Sequence, residues 1–431
     1  MTKGFWAVAD QGLFASSNFV LNVLLARWLA PADYGAFALM FAVFLLVGCL
    51  HTATLTEPML VFGPGRYEGR LPEYLGALVY GHLAFGLVSG SVLLLGSLGL
   101  ALLGFGSLAA VLLSLALAGP FILLLWLMRR ACYACFKPHL AASGGALYMA
   151  LMLAGAYVLY REEWLSAASA LGVMGASSLV VSIWLAVRLS VKRPAFRRGE
   201  LIRDTFGNHL RYGRWSVANE ALNWVPMNIY FLILPLWGGL EAAGVFKALM
   251  NPIMPMLQGV WALSVLLLPA LVRARTEGNE ALGSRVRLAL IPFALGPALY
   301  WLLLGLFHQP IVAWLYGGLY TEHAGLLWLL GLAPIAAAAK QVMGHSLRAL
   351  ERPDRLFWAF AFSAAATLSL GMALVYLWGV AGAGAGLLIS QVITAVLAFV
   401  FYRRLKQAAS GDGVAASSPL SGKMMADEGR A

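Results

Sequence analysis

Long runs without Asp, Glu, Lys or Arg fill this chain, separated by short clusters of charge. None of these four residues occurs between Glu73 and Arg129, and the glycine-rich stretch from Gly96 to Gly106 divides that run in two. The run from Leu356 to Tyr402 is equally charge-free, with a break near Gly379. A helix crossing a bilayer takes about 20 mostly apolar residues. The pattern therefore predicts spans near 4–29, 35–60, 75–96, 106–128, 139–160, 165–187, 214–237, 243–270, 287–307, 325–347, 356–378 and 380–402. Residues 308–324 read as an interfacial or re-entrant stretch. Twelve spans are expected, with eleven and thirteen as the neighbouring counts. Asp10, Gln11, Asn18 and Asn22 interrupt the first apolar segment, and no small-x-small site precedes a polar mature sequence, so it reads as a retained span rather than a signal peptide.

Composition removes the soluble alternatives. Of 431 residues, 61% are hydrophobic and only 11% charged, against roughly 25% charged in a soluble domain. So few charges cannot cover a water-facing surface over this much apolar mass. The fold class expected is an all-α polytopic membrane protein. All but four of the 30 Lys and Arg fall in the N-terminal segment, the even-to-odd loops or the tail; the exceptions are Arg27, Arg161, Lys247 and Lys340. Positive residues are retained on the cytoplasmic side, so both termini are expected in the cytoplasm of a multi-pass inner-membrane protein. The net charge of +11 is then a topology signal and gives no reason to expect a nucleic-acid partner.

Shifting the chain by 209 residues superposes Gly4 on Gly213, Trp6 on Trp215, Val8 and Ala9 on Val217 and Ala218, and Leu13 on Leu222. The register continues through Trp28 and Trp237, Gly35 and Gly244, and Phe37 and Phe246. A second echo links Arg129–Pro138 with Arg348–Pro353. An even number of spans separates the copies, which predicts two parallel six-helix bundles, 1–187 and 214–402, a basic linker at 188–213 and a disordered tail at 403–431. Transporters are commonly built from such repeats, with a substrate path between them.

The segment Ala26-Arg27-Trp28-Leu29-Ala30-Pro31-Ala32-Asp33-Tyr34-Gly35-Ala36-Phe37 resembles the ARxLGPxxYGxF stretch of bacterial polysaccharide flippases. These belong to the multidrug/oligosaccharidyl-lipid/polysaccharide (MOP) exporter superfamily. Residues 130–138 (RACYACFKP) and 348–357 (RALERPDRLF) look like that family's connections after spans four and ten. The likeness covers the whole chain in span count and repeat, but motif identity is confined to short stretches, and Ala30 stands where the family usually has Gly. The resemblance implies transfer of a polyprenyl-diphosphate-linked oligosaccharide across the inner membrane by alternating access. The partners expected are the lipid-linked glycan, the bilayer and other polysaccharide-assembly membrane proteins, with no cofactor.

Ionisable residues inside a membrane cost about 2.5–3.5 kcal/mol each on insertion scales and usually face a cavity or a partner. At 100° per residue Lys247, Asn251 and Gln258 share one face of span eight. With Asn18, Asn22, Arg27 and Asn223 they are the expected substrate path. Arg27 has a second reading as a lock with Asp33, and the amides have one as helix-packing groups. Asp10 and Glu220, at similar depths in the two halves, are the candidates for ion coupling. Lys340, Gln341 and His345 form a weaker group. Cys132-x-x-Cys135 near His139 lacks a fourth ligand, so no metal is expected. No nucleophile–base pair or P-loop is present. A glycan polymerase or glycosyltransferase would need a larger outer loop than this chain has. A cation-coupled multidrug exporter of the same superfamily stays open as the alternative.

Overall fold

The computed structural model describes residues 2–192 and 199–415. Every regular element among them is helical. Nine helical segments are long and apolar enough to cross a membrane. Two of these, Ser216–Thr276 and Pro353–Gln407, each contain two spans reversed at a glycine: Gly239 at φ 67° and Gly379 at φ 53°. Positive φ is open to glycine at no steric cost, so one residue suffices to turn the chain. Adding the more polar first helix gives twelve. They are α1 (Thr2–Trp28), α2 (Pro31–Phe62), α3 (Glu68–Leu102), α4 (Gly106–Ala134), α5 (Pro138–Arg161) and α6 (Ala167–Arg188). The second set is α7 (199–238), α8 (240–276), α9 (Asn279–Leu306), α10 (Thr321–Ala349), α11 (353–378) and α12 (380–415). A short helix, His308–Tyr316, occupies the stretch expected to be interfacial.

Twelve spans put both termini on one side, the terminal side; the other is the distal side. Packing within each half repeats. α4 lies along α3 and α6, and α1 and α6 lie along α5; α10 lies along α9 and α12, and α7 and α12 lie along α11. The echo noticed in the sequence is a shared backbone turn. Phe136 (φ 55°) and Glu351 (φ 59°) both take the left-handed conformation, each just before an x-Pro helix start. The flanking bonds match as well: Lys137 N–H donates to Cys132 O at 2.8 Å, and Arg352 N–H to Leu347 O at 3.0 Å.

Two boundaries differ from the sequence reading. The linker predicted at 188–213 becomes helix from Gly199, continuous with α7, because its Phe206 and His209 find a packing surface on the first half; 193–198 lie outside the described residues. α12 continues beyond 402 to Ala415, and 416–431 also lie outside the described residues. At Glu57-Pro58 α2 does not end: it passes through a π-helical turn at Thr52–Thr56 and continues to Phe62.

Candidate functional site between the two halves

The halves meet most closely on the distal side, where α2 crosses α8 at Gly35 and Gly244, the pair that the 209-residue repeat made equivalent. A Cβ on Gly35 would stand 1.7 Å from Leu240 O, and one on Gly244 2.2 Å from Pro31 O. Only glycine permits this approach. Around it lies a polar seal. Asn251 donates to the hydroxyls of Tyr34 (3.0 Å) and Tyr316 (3.4 Å), while Tyr34 donates to Asn22 Oδ1 (3.3 Å). Pro252 has no N–H, so the Ala248 carbonyl, which accepts from the Asn251 N–H, is left without the further donor four residues on. Tyr316 supplies one, at 2.7 Å.

On the terminal side α7 bridges to the first half. Pro58 likewise orphans the Thr54 carbonyl, and His209 Nδ1 donates to it at 2.9 Å. His209 Nε2 accepts from the Tyr74 hydroxyl at 2.7 Å. Burial lowers the ring's proton affinity below the usual histidine value, partly offset by that bond to Thr54. Ser216 donates to Glu57. Asp204 accepts from Arg66 (3.0 Å) and Tyr67 (2.8 Å). No extended packing joins the terminal ends of α4 and α5 to those of α10 and α11 among the described residues. The space between the halves is thus sealed distally and less closed at its terminal end.

Lys247 sits in this space, partly accessible. Its Nζ stands 5.2 Å from the centre of the Phe41 ring on α2 and 5.6 Å from Phe231 on α7. It has no ion pair among the described residues. Aromatic faces attract a cation but leave its charge unneutralised. Towards the terminal side follow Glu57, Glu220, Arg130 and Arg348, with Glu220 in electrostatic reach of both Glu57 and Arg348.

The structure scatters the expected stripe. Pro252 and Pro255 tighten α8 into a 3-10 turn at Asn251–Ile253, so the 100° register assumed between Lys247 and Gln258 is broken. Asn251, 3% exposed, is held in the seal, whereas Gln258 stays partly accessible. Asn22 belongs to the seal too, and Asn18 and Asn22 donate back to Phe14 O and Asn18 O of their own helix. Asn223 is half-buried on α7. Arg27, exposed at the distal end near Gly317, forms no pair with Asp33. Asp10 is fully buried within the first half: Arg129 meets Oδ1 at 2.8 and 3.1 Å and Tyr133 donates to Oδ2 at 2.6 Å. Glu220 has no such partner among the described residues. No group of three or more His, Cys, Asp or Glu that could hold a metal occurs among the described residues.

No protein-family model and no curated protein matches the sequence. Solved structures do. The fold superposes on the inward-facing conformation of a multidrug resistance MATE family transporter of the MOP superfamily with a TM-score of 0.80, covering 94% of this chain and 99% of that one at 16% identity. This chain has the MOP-transporter fold. The outward-facing conformation of a MATE family transporter gives a TM-score of 0.64 over 94% and 96% of the two chains, at 16% identity. A MOP superfamily transporter from Pyrococcus furiosus, described as having a binding pocket of reversed polarity that suggests a different function, gives 0.66 at 15% identity over 94% and 95%. The agreement is better with the inward-facing structure than with the outward-facing one. Tyr34 and Tyr316, which make the seal, and Arg129, which neutralises Asp10, were not singled out by sequence. Only Pro252 hinted that a donor from elsewhere was needed.

Proposed function

We propose that the protein is an alternating-access transporter that carries a polyprenyl-diphosphate-linked oligosaccharide across a bacterial inner membrane, entering from the cytoplasmic, terminal side. The observation that carries this reading is Lys247: a cation between the halves, held by aromatic rings and lacking an anionic partner among the described residues. Such a charge is costly to insert, and a diphosphate headgroup is an anion suited to a compact ammonium. The resemblance of residues 26–37 to polysaccharide flippases supports the same substrate. Lys247, Gln258, Asn223 and Asn18 would line the open path. Asn22, Asn251 and Arg27 would join it when the distal seal parts.

A second reading, a multidrug exporter, draws on the structures the fold superposes on and on Glu220, an acid in the same space that suits a cationic compound. Complementation of surface glycan in a flippase-deficient strain tests the choice, with protein abundance checked by blot. Lys247→Ala should lose most glycan export and Lys247→Arg keep part of it. Full rescue by the alanine variant, together with raised resistance to cationic drugs that Glu220→Gln removes, would replace the flippase reading by the exporter.

A further inference from the structure

Two histidines that the path does not use meet inside the first half. His51 on α2 and His82 on α3 are both essentially inaccessible, with His51 Nε2 3.0 Å from His82 Nδ1. His51 Nδ1 is buried without a partner, and an N–H left there with no acceptor would cost more than a lone pair, so His51 carries its proton on Nε2 and His82 Nδ1 accepts it. His51 therefore donates through Nε2, which leaves His51 Nδ1 a bare lone pair. That atom has no partner and no contact with solvent. Among the described residues no carboxylate, lysine or arginine of α2, α3, α4 or α7 lies within electrostatic reach of either ring, and His51 otherwise meets the edge of Phe85.

The position of the pair gives it a lever. His51 is the last residue before the π-helical turn Thr52–Thr56. π-Turns carry one extra residue and often mark functional sites. This turn is what α7 grips on the terminal side: His209 holds Thr54 O, and Ser216 holds Glu57 one residue beyond the turn. A further proton on His51 Nδ1 would create a cation with no counter-charge and an N–H with no acceptor, at the hinge of the segment that fastens the halves together. Buried, unpaired charge is strongly disfavoured.

From this geometry we infer that His51 and His82 form a proton-loading site of the first half. The pair is neutral while the terminal side is open, and a proton taken up on His51 Nδ1 favours the conformation in which the distal side opens. Asp10 is poorly placed for this task, because its charge is already balanced by Arg129. The inference rests on the alternating-access reading but on no particular substrate.

The test uses the full chain in lipid nanodiscs, with Cys49, Cys132 and Cys135 replaced by alanine and spin labels at the exposed distal positions 162 and 322. Electron–electron distances are read from pH 8 to pH 5.5. A single-proton linkage changes the ratio of the two conformations by at most about tenfold per pH unit. In the otherwise unaltered background the long-distance population should rise several-fold on acidification. His51→Gln and His82→Gln should keep the short distance at pH 8, as folded controls, and lose the rise. Asp10→Asn should keep the rise. A long-distance population that exists but ignores pH, or a rise that survives both histidine variants, overturns the site and leaves alternating access intact. A single short distance at every pH overturns both.

Discussion

The two halves share a backbone and differ in how they treat charge. In the first half buried charge is matched internally: Asp10 meets Arg129 and Tyr133, and the guanidinium of Arg129 also stands 3.8 Å from the centre of the Phe14 ring. The second half carries a buried cluster of hydroxyls on α11 and α12. Ser363, Thr367 and Ser390 bond one another and nearby carbonyls around the π-helical turn Thr367–Gly371, with the Tyr230 ring beside Gly371 and Gly386. The same half presents Lys247 and Lys340 without ion-pair partners among the described residues. A repeat preserves the helix framework and the tight turns. It leaves each copy free to specialise, one as a self-neutralised scaffold and one as the source of unpaired cations.

The largest effect should come from removing the framework that both copies share. Gly35→Val or Gly244→Val forces a side chain into backbone 1.7–2.2 Å away, and folded protein recovered from membranes should fall to near nothing on size-exclusion analysis. Normal yield would mean that the crossing is loose and the halves are less tightly joined than described.

Next comes the scaffold's charge. Asp10→Ala leaves Arg129 buried and unpaired, a loss of about 3–5 kcal/mol for a broken buried pair, visible as a large drop in thermal stability. The double variant Asp10→Asn with Arg129→Met should recover much of it. Lys247→Ala should do the reverse, leaving stability within about 0.5 kcal/mol or raising it, since removing an unpaired cation costs no partner. Equal destabilisation by Asp10→Ala and Lys247→Ala would erase the contrast between the halves.

A smaller effect is expected at the seal. Tyr316→Phe removes the donor to Ala248 O and the acceptor for Asn251, about 1 kcal/mol per bond. Distal labelling of a cysteine at position 26, buried in the sealed form, should rise several-fold. Unchanged labelling would show that the glycine crossing alone keeps the distal side shut.

Much of this was written in the order of residues. Charge-free runs of the right length fixed the number of spans, and the breaks at Gly379 and around Gly96–Gly106 fall where the sequence puts them. The 209-residue repeat made Gly35 and Gly244 equivalent, and their contact emerges only from the packing of α2 on α8. Prolines 58 and 252 remove the donors four residues on from the carbonyls of Thr54 and Ala248. What filled them was decided in three dimensions, because His209 and Tyr316 are 155 and 68 residues away. The same holds for Asp10. A periodicity argument sees a carboxylate in an apolar helix, and only packing of α1 near α4 reveals that Arg129 answers it. Helix period and turn chemistry are local and can be read along a chain. Whether a buried polar group is satisfied depends on which distant side chain the fold brings within about 3 Å.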